Sequence, residues 1–312
     1  MRQAFIPRPC FGLAFSALLI VFTLGVAAGC SDDATAEDTV MTEGPAFTDA
    51  IPDINDNGMV DSADGTLASE APCTVLFGVP NEKTGLSAEQ CAPICDCEGR
   101  RFEPPAYTEA DIAAIEALVH SEPMTALTEN PYEDPAPVSP EGTVCAVLRD
   151  TADSNQYTMQ TFASRAEALA AGATPSHSSA CGLCSPLVNL AVYMRQPDLT
   201  DPVRTCGIQG MSGTKEDHMA CLMALGFDEP CASIWYYNTK HTQKKCTAVC
   251  MAALNDPYHH PDGSLNECMV CDEVEAGPVF KAFAGRTRRN TGLPSSMCRP
   301  CTEVLPFIHH YE

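Results

Sequence analysis

Three pairs of cysteines in this sequence are separated by two residues: Cys181 and Cys184, Cys268 and Cys271, and Cys298 and Cys301. Such a pair can cycle between a dithiol and a disulfide, or it can supply two thiolates to a metal ion. The first pair precedes an apolar stretch at 186–195 that predicts a helix. Because the N-terminal end of a helix dipole lowers the pKa of a nearby thiol, this pair is the candidate for thiol-disulfide oxidoreductase chemistry. The alternative, which the many other cysteines favour, is that Cys181 and Cys184 form structural disulfides.

The other two pairs have the spacing of a four-cysteine zinc site. They read C-x2-C, twenty-six residues and C-x2-C, and structural zinc is commonly held by four cysteine thiolates. Zinc is therefore a candidate ion, with Cys268, Cys271, Cys298 and Cys301 as its ligands. Disulfide formation competes for the same thiols in an oxidising compartment, so both interpretations stay open.

Four cations lie within nine residues of an otherwise acidic sequence: Lys281, Arg286, Arg288 and Arg289. A guanidinium group matches the oxygens of carboxylate, sulfate and phosphate in a bidentate manner, so these side chains form a candidate site for a small anionic ligand. The competing interpretation is that they pair with the protein's own carboxylates, such as those at 272–275. If the chain has a ligand pocket, the sequence predicts it at this segment.

An acidic segment nearer the N-terminal end has the ligand spacing of a twelve-residue calcium loop. Its oxygen donors at positions 1, 3, 5, 7, 9 and 12 are Asp53, Asn55, Asn57, the carbonyl of Met59, Asp61 and Asp64. Gly58 at position 6 permits the sharp turn that such loops require. The loop resembles those of dockerin modules and thrombospondin type 3 repeats, which also use Asp at position 12. The resemblance implies calcium as a candidate ion, and the alternative is a merely acidic tether.

The N-terminal residues have the pattern of an export signal. A start with two arginines precedes an apolar run at 11–26, and small residues at 27–29 lead to Cys30. This arrangement resembles a bacterial lipoprotein signal, which implies cleavage before Cys30 and lipidation of its thiol. The alternative is an uncleaved membrane anchor at 11–28. Both interpretations predict a membrane-attached protein that faces the periplasm or the cell surface.

Cysteine content and charge agree with an exported protein. The sequence has 18 cysteines, and the loss of Cys10 with the signal and the lipidation of Cys30 leave an even number for disulfides. The formal net charge is -23, and residues 31–72 carry eleven Asp or Glu with no Lys or Arg. A field of this sign repels phosphate backbones, which argues against nucleic acid as a partner.

The elements that position these residues follow from periodicity and capping signals. Thr108 begins a helix, and residues 143–148 and 157–162 form two strands around a turn at 150–155. Ser164 caps a short helix that ends at Gly172. Further helices are predicted at 186–195, 215–225, 230–237 and 243–254. The fold class is therefore α+β, mainly helical, loop-rich and stapled by disulfides.

The sequence predicts five segments. They are a lipoprotein signal peptide at 1–29, an acidic tether with the calcium loop at 30–72, a small cysteine-rich helical subdomain at 73–130, a Pro-rich linker at 131–141 and a cysteine-rich α+β domain at 142–312.

Common catalytic patterns such as H-E-x-x-H, G-x-S-x-G and phosphate-binding loops do not occur in the sequence. This favours a lipid-anchored exported protein with a binding or structural role at the cell envelope over an enzyme. Such a role requires no cofactor. Its partners are the membrane, through the lipid, and an unidentified protein, a glycan or a small anionic ligand. The oxidoreductase and the zinc-binding protein are the alternatives.

Overall fold

The computed structural model describes residue 73 and residues 75–97 and 100–311. Within these residues the helices are α1 Glu109–Glu116, α2 Arg165–Ala170, α3 Leu187–Arg195, α4 Thr200–Gln209, α5 Lys215–Ala224, α6 Glu229–Ala252, α7 Glu267–Glu275 and α8 Gly277–Ala284. The strands are β1 Leu76–Phe77, β2 Cys91–Ala92, β3 Cys95–Cys97, β4 Arg100–Phe102, β5 Val119–His120, β6 Val144–Arg149, β7 Gln156–Phe162, β8 Thr174–Ser178 and β9 Arg299–Pro300. The predicted α+β class with a helical majority is confirmed.

The largest sheet has four strands in the order β5-β7-β6-β8. β6 lies antiparallel to both β7 and β8, whereas the short β5 is parallel to β7. β6 and β7 confirm the two predicted strands. The carboxylate of Asp150 holds the turn between them, because it accepts hydrogen bonds from the amides of Ala152 and Asp153.

β8 is a strand that the sequence pattern does not predict. Its residues Pro175, Ser176 and His177 are buried although two of them are polar. Ser176 is hydrogen-bonded to the hydroxyl of Tyr311, and His177 to that of Ser185. These polar groups can be buried because they find partners inside the protein. With polar residues at buried positions, the strand lacks the apolar alternation by which strands are recognised.

Side-chain caps fix the ends of several helices. Thr108 and Asp111 form a reciprocal capping box at the start of α1, as the sequence predicts. Thr214 caps α5 in the same way, and Ser164 caps α2. After α5 the chain reverses at Gly226, whose φ of 107° lies in the region that favours glycine. α4, α7 and α8 are not predicted from the sequence.

α6 is one helix of 24 residues, whereas the sequence predicts two helices separated by residues 238–242. Asp228 caps its start, and Pro230 lies in its first turn, where the missing amide hydrogen is not needed. The polar residues in its middle contain neither glycine nor proline, so they weaken the apolar period without ending the helix.

The main core lies where the helices meet the four-stranded sheet. Leu187 and Leu190 of α3, Leu222 of α5 and Ile234 of α6 are fully buried, and Val147 of β6 reaches the same cluster. Burial of an aliphatic side chain of this size contributes about 1.5–3 kcal/mol. The core therefore ties α3, α5 and α6 to the sheet.

Disulfides connect segments that lie far apart in the sequence. The pairs described are Cys91–Cys298, Cys95–Cys301, Cys145–Cys181, Cys184–Cys231, Cys206–Cys221, Cys246–Cys271 and Cys250–Cys268. Cys73 is also disulfide-bonded. The first two pairs link the segment that follows residue 73 to the C-terminal part of the chain.

The described residues on both sides of the predicted linker at 131–141 belong to one compact unit. Tyr132, inside the predicted linker, donates a hydrogen bond to the carbonyl of Ala276 and accepts one from Asn238. Its ring also stacks on His241 of α6 at 4.3 Å between centroids. These contacts fix the segment on α6 and at the junction of α7 and α8.

No helix in the part of the chain that the structure describes has both the length and the apolar character needed to cross a membrane.

Candidate functional site

Cys181 and Cys184, the first cysteine pair, are not bonded to each other. Cys181 is bonded to Cys145 of β6, and Cys184 is bonded to Cys231 of α6. Cys184 and both partner cysteines are fully buried. The spacing matches a redox motif, but the two sulfur atoms belong to two different structural bridges, as the alternative interpretation expects.

The four cysteines of the zinc interpretation are likewise separated by their partners. Each is bonded to a cysteine outside the set: Cys268 to Cys250, Cys271 to Cys246, Cys298 to Cys91 and Cys301 to Cys95. Zinc coordination requires free thiolates, which these bridges do not leave. Within the described residues, no three or more His, Cys, Asp or Glu side chains are grouped so that they could hold a metal ion.

The four predicted cations fall into different environments. Lys281 is exposed on α8, whereas Arg286 is fully buried behind that helix. The Arg286 guanidinium donates hydrogen bonds to the carbonyls of Cys184 and Ser185 and, at 2.7 Å, to the hydroxyl of Ser176. These donors are satisfied inside the protein, so the structure does not place Arg286 in a ligand site.

Two buried histidines are close to the Arg286 guanidinium. Burial and the nearby positive charge hold the pKa of His177 well below its usual value and lower that of His309 to about 3. Both rings are therefore neutral at pH 7. His177 hydrogen-bonds Ser185 at 2.7 Å, and His309 hydrogen-bonds the hydroxyl of Tyr311 at 2.9 Å. The network is a polar part of the core that solvent does not reach.

Arg288 and Arg289 line a small pocket at the other side of the same segment. Its walls are Phe77, Arg288, Arg289, Leu293, Ser295, Arg299 and Val304, and it has a volume of about 10 Å³. This volume is close to the minimum that holds one water-sized group. β1 supplies Phe77, β9 supplies Arg299, and the loop between α8 and β9 supplies most of the other wall residues.

Arg288 has buried donors without partners. Its Nη1 donates to the carbonyl of Pro294 at 3.2 Å, and its guanidinium carbon lies 5.4 Å from the centroid of the Tyr193 ring. Its Nε and Nη2 are buried and have no hydrogen-bond partner in the described part of the chain. Burial lowers the pKa of Arg288 to about 10, so the side chain is still protonated at neutral pH.

The other two arginines of the pocket are paired with carboxylates. Arg289 contacts Glu273 at 3.1 Å and Glu303 at 3.2 Å, and Arg299 contacts Glu273 as well. With Arg288, these residues make three positive and two negative charges. The pocket therefore has one unpaired positive charge, carried by a side chain with two buried donors that are not satisfied.

Sequence reasoning finds Arg288 and Arg289 but misses Arg299. Arg299 lies inside the third C-x-x-C pair, between Cys298 and Cys301, whose bridges attach it to the segment around β2 and β3. One feature of the sequence could have identified Arg299: a cation between two disulfide-bonded cysteines lies at a fixed point in the fold. The calcium loop at 53–64 and Cys30 lie outside the described residues.

Three consecutive aromatic residues of α6, Trp235, Tyr236 and Tyr237, pack against other parts of the protein. The Trp235 ring packs against Phe280 at 4.4 Å and Phe227 at 5.9 Å between centroids, and all three aromatic side chains are partly buried. Trp235 and Tyr236 pack at the edge of the main core.

Residues 215–307 match the model of a family of unknown function (DUF8771). The matched stretch is less than a third of the chain, and it contains α5 to α8 and all three pocket arginines. No curated protein matches the chain, and no solved structure matches it.

Proposed function

We propose that this chain is an exported binding protein of the cell envelope, attached to the membrane through lipidated Cys30, whose disulfide-stapled domain binds an anionic ligand in the arginine pocket. Export, lipid attachment and ligand binding are supported by separate observations.

The disulfides support export. Disulfides persist in oxidising compartments and are rare where glutathione and thioredoxin keep thiols reduced. Seven described pairs, several of them between buried cysteines, support folding in such a compartment.

Lipid attachment is supported by the residues around Cys30 and by cysteine parity. Every cysteine whose side chain the structure describes is disulfide-bonded. A lipidated Cys30 keeps the number of remaining cysteines even once Cys10 has been removed with the signal. Two acyl chains on one residue give stable membrane attachment, which a single chain does not.

The observation that carries the binding function is the pair of buried, unpartnered donors on Arg288. A buried donor without a partner costs about 1–3 kcal/mol, and more when the group is charged. Arg288 is one of the residues that line the pocket, so an acceptor that reached its free donors would gain free energy. The acceptor with the largest gain there is an anion, because the local charge is positive.

The binding function is tested by the thermal unfolding of the purified full chain in a panel of sodium salts at constant ionic strength. The panel holds formate, acetate, chloride, nitrate, sulfate and phosphate. At least one anion is expected to raise the unfolding temperature in a saturable manner.

The expected response is lost in Arg288→Met, which removes the charge and the free donors. It is kept in Lys281→Met, which removes the same charge from the exposed side of α8. If no anion stabilises the protein, or if both variants lose the response equally, the pocket is not a ligand site.

A further inference from the structure

We propose that two copies of this chain associate edge to edge through strand β7, so that their four-stranded sheets join across a two-fold axis. An unpaired strand edge, the lack of charge along it and its length support this association. It is independent of ligand binding in the arginine pocket.

In the described part of the chain, β7 is the strand with an unpaired edge. β6 pairs with it along 157–162, whereas β5 on its other side pairs only with 156–157. Residues 158–162 therefore have a neighbouring strand on one side only. Gln160 and Thr161 are both exposed although consecutive side chains point to opposite faces of a sheet, which is typical of an open edge.

The backbone groups on the open side belong to Met159 and Thr161. The carbonyl of Tyr157 accepts a hydrogen bond from the amide of Ser121, which follows β5, so the backbone of Tyr157 points to that side. Backbone groups of alternate residues point to the same side of a strand, which places those of Met159 and Thr161 there too. Neither residue has a backbone hydrogen bond to another described residue on that side. The edge can therefore accept a further strand.

The edge also lacks the features that usually keep strand edges apart. Proteins commonly protect an edge with charged side chains, proline or a bulge. Residues 154–164 contain no Asp, Glu, Lys, Arg or Pro, although the chain has a net charge of -23. The register of β7 with β6 is continuous along 157–162. Two copies can thus approach at this edge without direct repulsion between like charges.

A second copy of β7 matches the open edge in length and in hydrogen-bonding pattern. The free stretch at 158–162 ends at β5 on one side and at a bend after Phe162 on the other, so a longer strand would meet β5. An antiparallel copy centred on Gln160 places Met159 opposite the second copy's Thr161. Each such pair exchanges two backbone hydrogen bonds. The two-fold axis repeats the pair, so the outward backbone groups of both residues gain partners.

The contact is small, so the dimer is expected to be weak and reversible. A stretch of five residues buries much less than the roughly 800 Å² per partner of a standard interface. The opposed Met159 and Thr161 side chains, and the two Gln160 side chains at the axis, add a modest cross-strand contribution. The fraction of dimer is therefore expected to rise across micromolar to millimolar protein concentrations.

Amide hydrogen exchange of the full chain at low and high concentration tests the edge directly. The chain carries Cys30→Ser so that no lipid contributes to association, and sedimentation velocity measures the dimer in the same samples. The amides of Thr158 and Gln160 point to β6 and are expected to be protected at both concentrations. Those of Met159 and Thr161 are expected to exchange about tenfold more slowly once the dimer predominates.

Gln160→Lys tests the two-fold axis, because it places two positive charges opposite each other at the centre of the contact. Gln160 is exposed, so the fold is expected to be kept while the dimer weakens by about tenfold or more. An equal mixture of the Gln160→Lys and Gln160→Glu proteins is expected to restore association, since opposite charges then meet. Gln209→Lys makes the same change at an exposed position of α4 and is the matched control.

Three results would overturn the edge-to-edge dimer. The first is a chain that stays monomeric at every concentration. The second is a dimer in which Met159 and Thr161 exchange as fast as in the monomer, because association then uses another surface. The third is a Gln160→Lys protein that dimerises as the wild type does.

Discussion

Arg286 and Arg288 are two residues apart, and both have a buried guanidinium group. Burial has opposite effects on the stability of the folded state at the two positions. Arg286 donates to three carbonyls and a hydroxyl, so its charge is held by a complete set of acceptors. Arg288 has one carbonyl acceptor and two nitrogens without partners. The first residue therefore stabilises the folded state, and the second reduces its stability until an acceptor binds.

Substitution by methionine is expected to separate these two roles. Arg286→Met leaves buried acceptors without donors and is expected to lower the free energy of unfolding by about 3 kcal/mol or more. Arg288→Met removes unsatisfied donors and is expected to change it by less than about 1 kcal/mol, or to raise it. Urea unfolding in an anion-poor buffer measures both values. Equal destabilisation by the two substitutions would show that Arg288 is a structural residue.

The buried histidines predict a loss of stability in acid. The pKa of His309 is lowered to about 3 in the folded protein, so the unfolded chain binds a proton at pH values where the folded protein does not. The stability contributed by neutral His309 is complete above about pH 6.5 and is lost as the pH falls toward 3. Between pH 6.5 and pH 5 the expected loss is about 2 kcal/mol.

The variant His309→Gln isolates this effect, because glutamine keeps hydrogen-bonding capacity and does not titrate. Its free energy of unfolding is expected to fall less steeply than that of the wild type between pH 6.5 and pH 5, as measured by urea unfolding at each pH. Identical slopes for the two proteins would contradict the assignment of a neutral, buried His309.

At the scale of elements, α6 is the helix that organises the C-terminal half of the chain. It is bonded to Cys184, in the segment before α3, through Cys231 and to α7 through Cys246 and Cys250. Its polar middle also carries Asn238 and His241, which hold Tyr132. Because the helix is continuous through these residues, the disulfides and the Tyr132 contacts belong to one helix.

This continuity is testable at Lys244, which is exposed in the middle of α6. Lys244→Gly is expected to lower the free energy of unfolding by about 1 kcal/mol, and Lys244→Ala to leave it nearly unchanged. Chemical denaturation of the two variants gives the comparison. If residues 238–242 formed the loop that the sequence pattern predicts, Lys244 would lie in the first turn of a separate helix, and glycine and alanine would differ less there.

Local signals in the sequence identify the capped and alternating elements of this fold. Thr108 and Ser164 carry caps whose partners lie within three or four residues, so a sequence window contains the whole interaction. β8 and the burial of Arg286 cannot be found in this way. Their partners, such as Tyr311 and Ser185, are distant in sequence, and only the tertiary structure shows that the polar groups are satisfied.

The sequence predicts only some residues of the candidate site, because the others become neighbours only in the tertiary structure. Arg288 and Arg289 are adjacent in an acidic sequence and therefore stand out, whereas Arg299 becomes a neighbour only through the fold. Lys281 and Arg286 share the charge pattern but differ in burial, which composition does not reveal. The cysteine pairs show the limit of spacing as a guide, because Cys181 and Cys184 bond to partners 36 and 47 residues away.

At the scale of the whole molecule, two neighbouring disulfides close almost the same loop. Cys91–Cys298 spans 207 residues and Cys95–Cys301 spans 206. Either bridge alone restricts the unfolded chain nearly as much as both together. In the chain-entropy account a loop of this length corresponds to about 5 kcal/mol, which is lost only when both bridges are absent.

The two bridges are therefore expected to act redundantly. Removal of either one by paired Cys→Ser substitutions is expected to cost less than half of what removal of both costs, as measured by chemical denaturation in the absence of reductant. Removal of Cys206–Cys221, which spans only 15 residues but has no parallel bridge, is the comparison. Additive losses for the two long bridges would contradict redundancy.

The proposed membrane attachment makes a separate prediction at this scale. Cys30→Ser removes the thiol that a lipid would modify, so the chain is expected to move from the membrane fraction to the soluble fraction of the exporting cell. Fractionation and incorporation of labelled fatty acid measure the change, and Ser31→Ala is the neighbouring control. A serine variant that stays in the membrane fraction would favour an uncleaved anchor at 11–28.

The paired long-range bridges also determine what happens when a protease cuts the chain. The segment at 133–141 is mostly exposed, with Val138 at 91% exposure, and it lies inside both closed loops. Hydrolysis of one peptide bond there leaves the two fragments joined at Cys91–Cys298 and Cys95–Cys301. A nicked molecule would migrate as one species in electrophoresis without reductant and as two species with it. Cleavage in this segment therefore does not separate the two fragments, and the release of a fragment requires prior reduction of both disulfides.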